Sequence, residues 1–80
     1  MKLPRDISAQ DLVKKLQTLG YVITRQSGSH IRLTTNQFGQ HHLTIPHHHA
    51  IKVGTLSAIL TDVAEHFQKS KEEIISMLFQ

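Results

Sequence analysis

An α+β fold is predicted for this chain: a two-layer sandwich in the order α-β-β-β-α, with a short extra C-terminal helix. Two patterns carry the prediction. Apolar residues recur at helical spacing in one stripe near the start (Leu12, Val13, Leu16, Leu19) and in another towards the end (Leu56, Ile59, Leu60, Val63, Phe67). Between them lie three short runs of β-branched or alternating residues, separated by glycine-containing turns. A sheet with one apolar face must bury it, and the two stripes supply the matching surface. The other face of the sheet is left for a partner.

The first helix is expected over residues 9–19. Ser8 followed by Asp11 has the spacing of a capping box, Ile7 can staple onto Leu12, and Gly20 stops the helix in the left-handed conformation. Tyr21–Gln26 is rich in β-branched and aromatic residues, and Ser27-Gly28 supplies a hairpin turn. A second strand from Ser29 to about Thr35 turns Ile31 and Leu33 inward and His30, Arg32 and Thr34 outward. After the turn Asn36–Gly39, a third strand from about Gln40 to Ile45 buries Leu43 and Ile45 and shows His42 and Thr44, until Pro46 ends it. His47–Lys52 is a connecting loop. A second helix follows over about residues 55–67, and Ser70 with Glu73 caps a last short helix that buries Ile74, Ile75 and Leu78. No linker, repeat or low-complexity segment interrupts the 80 residues, so one domain is expected over residues 1–80.

Composition narrows the chemistry. The chain has no cysteine, which removes disulfides, thiolate metal sites and a cysteine nucleophile together. No apolar run is long enough for a membrane span or a secretory signal, so a cytoplasmic protein with no membrane partner is expected. The net charge of +3, the pI near 9.6 and the seven histidines suit a polyanion partner. Tyr21, Phe38, Phe67 and Phe79 are the only aromatics besides histidine, too few for a base-stacking platform along a single strand.

The candidate chemistry centres on Ser27-Gly28-Ser29-His30. A turn followed at once by a strand sets the His30 imidazole on the solvent side, with Arg32 on the same face and Ser29 and the Gly28 amide beside it. This group suits metal-free cleavage of RNA, in which the 2′-hydroxyl attacks its own phosphate. An imidazole can take the hydroxyl proton or protonate the leaving 5′-oxygen, and a guanidinium can stabilise charge on the phosphoryl oxygens. DNA lacks that hydroxyl, so the site would select RNA. One histidine usually needs a helper, which spacing alone does not identify.

His41-His42 and His47-His48-His49 form a second constellation. Three adjacent loop histidines cannot easily turn to one ion, and no acidic residue lies between Asp11 and Asp62, so no metal site and no cofactor are expected. Phosphate contact, or partnership of one of them with His30, is the sharper reading; a plain polar loop is the bland one. Lys14, Lys15, Arg25, Arg32 and Lys52 can each be read as a solvated charge or as a phosphate contact.

Leu19-Gly20-Tyr21, Arg25, Gly28-Ser29-His30, Ile45-Pro46-His47-His48 and Gly54-Thr55-Leu56 with Ile59-Leu60 occur in an order and spacing that resemble the HicA, or YcfA-like, toxin family of bacterial type II toxin–antitoxin systems. The resemblance runs to about residue 67. It implies a double-stranded-RNA-binding-domain-like α-β-β-β-α fold and a ribosome-independent mRNA interferase neutralised by a cognate HicB antitoxin. It makes His30 the catalytic residue and places His48 at the second histidine of the family's Pro-x-His. Ser29, Arg32, Arg25, His48, Lys14 and Lys15 are then the expected RNA contacts. A non-catalytic RNA-binding or protein-interaction module of the same fold is the alternative.

Overall fold

The structure, a computed structural model, describes residues 3–79. Its elements run α1 (Ala9–Gln17), β1 (Val22–Ser27), β2 (His30–Thr35), β3 (His41–Pro46), α2 (Val53–Phe67) and α3 (Lys71–Phe79). The strands form one antiparallel sheet in the order β1-β2-β3, and the α+β sandwich is consistent with the double-stranded-RNA-binding-domain-like arrangement.

α1 begins as its cap predicts, with the Ser8 hydroxyl accepting from the Asp11 amide at 3.1 Å. It ends two residues early. Thr18, Leu19 and Gly20 donate three residues back, to Lys15, Leu16 and Gln17, so the last turn tightens before Gly20 reverses the chain at φ +86°. Tyr21, expected to open the first strand, instead stands just ahead of β1 and is fully buried.

Ile31, Leu33, Leu43 and Ile45 face the helices and are buried, as the alternation requires. Leu12, Leu16, Leu56 and Leu60 meet them from the helical layer, each with no exposed surface. α3 adds Ile74, Ile75 and Leu78 to the same core and packs against both other helices, so the helical layer has three members where two stripes were expected. Its start is a reciprocal capping box: Ser70 Oγ accepts from the Glu73 amide and Glu73 Oε1 from the Ser70 amide, both at 3.0 Å. These bonds hold the Glu73 carboxyl below the usual carboxylate range.

α2 starts at Val53, two residues before the expected Thr55, because Gly54 lies inside the first helical turn. The loop ahead of it is sewn to the start of α1: Ala9 N–H donates to His48 O at 3.0 Å and Ile51 N–H to Ile7 O at 2.8 Å, and Ile51 is buried. What composition reads as a polar connection is therefore a fixed segment.

At the end of the sheet away from the Gly28 turn, Tyr21 and α2 lock β3 in place. The Tyr21 hydroxyl lies 2.6 Å from His41 Nδ1, and His41 Nε2 lies 3.1 Å from the Asp62 carboxylate. Burial first, then the Asp62 charge, push the Tyr21 hydroxyl above the ordinary phenol range, so it stays protonated and can donate to Nδ1; in that arrangement the His41 proton lies on Nε2 and goes to Asp62. The His66 ring stacks on His41 at 4.4 Å, and its Nε2 donates to Gln37 O at 2.8 Å. The folded chain thus holds the Tyr21 proton more tightly than the unfolded chain does. That stabilisation is complete below about pH 10, the phenol's ordinary value, and is lost as pH rises above it. The thermal midpoint should fall above pH 10, and Tyr21→Phe should remove that extra loss while lowering stability at neutral pH by about 1 kcal/mol. An unchanged alkaline slope in the variant would assign the loss to other groups.

Candidate active site on the open face of the sheet

Register assigns the side chains of the uncovered face to three rows. Ser27, His30 and Pro46 form the first, Arg25, Arg32 and Thr44 the second, and Val22, Thr34 and His42 the third. His30, Arg25, Arg32, Thr44 and His42 are all exposed. The hairpin that delivers His30 turns through Gly28 and Ser29, so Ser29 lies in the turn and not, as expected, in the strand. From there Ser29 Oγ reaches His30 Nδ1 at 3.0 Å.

That contact occupies Nδ1 and leaves Nε2 of the exposed ring without a partner among the described residues. Where Nδ1–H donates to the serine oxygen, Nε2 of the neutral ring is bare and is a base; once that ring has taken a proton, the serine still accepts from Nδ1–H and Nε2–H of the imidazolium is an acid.

The second row holds a like-charge pair. Arg25 and Arg32 are direct cross-strand partners, and a bulge between Ile23 and Arg25 brings Thr24 in beside them, its hydroxyl 3.4 Å from Arg32 O. No Asp or Glu occurs between Asp11 and Asp62, and among the described residues neither guanidinium joins an ion pair. Opposed like charges on neighbouring strands are unfavourable in isolation, and an anion from outside would relieve the repulsion. Its row adjoins that of His30, with Arg32 about 7 Å along β2.

The third row was not legible in the sequence. Thr24 Oγ1, Thr34 Oγ1 and His42 Nδ1 form a chain across all three strands, at 3.0 Å and 2.8 Å. Thr34, expected to be exposed, is covered by these two partners and is buried although it lies on the open face. His42 is thereby oriented, but it stands four positions along from His30, about 13 Å by strand rise, and does not contact it directly.

The other expected residues are dispersed. The loop after Pro46 is fixed beside the turn by His47 N–H donating to Ser29 O at 2.9 Å; His48 is exposed in that loop and is tied through its backbone to Pro46 and Ala9. Lys14 and Lys15 sit on α1 in the helical layer. Lys14 borders a cleft beside β1, and Lys15 lies with Thr18, Asp11 and Phe79. His41 and His42, adjacent in sequence, point to opposite sides of the sheet, one to Asp62 and the other outward. Among the described residues no three His, Asp or Glu side chains gather into a ligand-like group.

A small α+β domain with an uncovered basic sheet face and a histidine at its turn is thus the class that fold and site define. A family model describing the HicA toxin of bacterial toxin–antitoxin systems matches residues 9–64, and the chain belongs to that family. It is accordingly of the toxin kind, the counterpart of an antitoxin. No curated protein and no solved structure matches the chain. Among the described residues no helix is long and apolar enough to cross a membrane.

Proposed function

We propose that this chain is a metal-independent mRNA endonuclease of the cytoplasm, acting as one domain, with His30 as general acid–base and the Arg25–Arg32 pair on the phosphate. The observation that carries the reading is the exposed His30 ring, its Nδ1 held by Ser29, one row from two guanidiniums that join no ion pair among the described residues. As base, His30 Nε2 takes the proton of the 2′-hydroxyl while that oxygen bonds to phosphorus. The bond from phosphorus to the 5′-oxygen then breaks, and the leaving oxygen takes a proton from water, while the imidazolium returns its own proton to solvent. The arginines stabilise the charge on the phosphoryl oxygens in between. A cognate HicB antitoxin neutralises the toxin by covering this face.

The test uses the purified protein with end-labelled RNA, with and without a chelator. Cleavage that persists in chelator, leaves a 2′,3′-cyclic phosphate and spares an otherwise identical strand with 2′-deoxyribose at the cut is the expected result. Equal cutting of the deoxy strand, or loss of activity in chelator, would overturn it. The double variant Arg25→Gln, Arg32→Gln should bind RNA more weakly and with a shallower salt dependence, by about 1.4 in the slope of log K against log[salt], the share of two phosphates on a single strand. An unchanged slope would remove both residues from the interface.

A further inference from the structure

The geometry points to a nucleobase site in the cleft between α1 and β1, which we propose takes the base of the nucleotide next to the phosphate at His30. The proposal rests on the RNA reading above and adds to it how sequence would be chosen. The cleft, of about 310 Å³, is at the lower end of ligand-sized pockets. Its floor is apolar, made by Val13 of α1 with Ile23 and Ile31 of the sheet, and Ile23 is 46% exposed, an unusual state for a β-branched side chain on the helix-facing side. Such a surface suits the flat face of a base.

Its rim is what separates it from an ordinary packing gap. Three glutamines, Gln10, Gln17 and Gln26, come to it from two elements, and an amide side chain both donates and accepts hydrogen bonds, as the edge of a nucleobase requires. Lys14 adds one cation for the phosphate, and His47, which also lines the cleft, brings an imidazole, a ring type that stacks on bases. Among the described residues no carboxylate lines the cleft. A protein strand added to the edge of β1 would engage backbone groups and would leave these three amides unused.

Position links the cleft to His30. Gln26 and Ile31 are register partners, and the next pair along the hairpin is Ser27 with His30 on the opposite face. β1 is an edge strand, so a nucleic-acid strand can pass round its end from the open face into the cleft. His47, whose amide is bonded to Ser29 O, borders the same route.

Two measurements decide it. Isotope-labelled His30→Ala protein is titrated with the four nucleoside 5′-monophosphates and, in parallel, with ribose 5-phosphate and inorganic phosphate. The side-chain amide signals of Gln10, Gln17 and Gln26 should move with the nucleotides, most strongly for one base, and should stay still with the two phosphates that carry none. Equal movement with ribose 5-phosphate, or movement confined to the open face, overturns the site. So does a cleft that responds only to a partner protein. This arm holds whether or not RNA is cut. In the second arm, a randomised RNA is cleaved by wild type, Gln26→Ala and Ile23→Glu. The base preference next to the cut should fall about five- to tenfold in both variants, the cost of one lost hydrogen bond or of a charged floor, with preferences elsewhere retained. An unchanged preference next to the cut would overturn the assignment.

Discussion

Replacing His30 with alanine should reduce RNA cleavage by at least about 10²–10⁴-fold and abolish growth arrest on induction, with the fold intact. The side chain is exposed and among the described residues bonds only to the Ser29 hydroxyl, so its removal uncovers no core and leaves no buried partner. Stability should change by no more than about 0.5 kcal/mol. Cleavage rates on labelled RNA, growth curves and thermal midpoints for the two proteins separate a lost acid–base group from a lost fold. RNA binding should survive, because the guanidiniums that meet phosphate stand in the neighbouring row. Wild-type cleavage by the variant would remove His30 from the chemistry. Ser29→Ala tests the same contact more gently: the ring keeps its place on the strand but loses its anchor, so a partial loss is expected.

Gly20→Ala should be the most damaging single-methyl change considered. The residue has φ +86°, a conformation that costs an L-residue about 1–2 kcal/mol. An added Cβ would also lie 2.7 Å from Gln37 Nε2 and 3.0 Å from Thr35 Oγ1. Gln37 can swing away, but Thr35 is buried, and its hydroxyl donates to Leu19 O and accepts from the Gln37 amide. Strain and displaced contact together give about 2–3 kcal/mol, or roughly 10–15 °C in thermal midpoint for a domain of this size. Gly28→Ala is the control. Its Cβ would meet nothing within 4 Å and its φ is not positive, so stability should be unchanged or slightly raised. Equal midpoints for the two variants would show that Gly20 is neither strained by a side chain nor crowded by Thr35.

Much of this was legible in local sequence, and the reasons are local. A helical stripe, a Ser8 cap, alternation along β2 and β3 and a Ser70–Glu73 box each act within a few residues, so spacing alone foretold α1, the meander, α2 and the last helix. Boundaries were less legible. α1 ends at Gln17 because its last turn tightens, and α2 begins at Val53 because Gly54 is tolerated inside its first turn. Ser29 falls in the turn, and Thr34 is buried on a face where alternation alone predicts exposure.

Periodicity and motif spacing are properties of chain order, and they carry the sandwich, the face on which His30 and Arg32 stand, and the family. The neighbours of each side chain come from long-range packing. A bulge at Thr24 set Arg25 opposite Arg32, and cross-strand pairing joined Thr24, Thr34 and His42 into one line. Packing of α2 on the sheet brought Asp62 and His66 to His41, 21 and 25 residues away in the chain, and spent that histidine on structure while its neighbour His42 faces outward. Register and helix docking are long-range choices, fixed by buried surface on several elements at once, and no single stretch of sequence carries them.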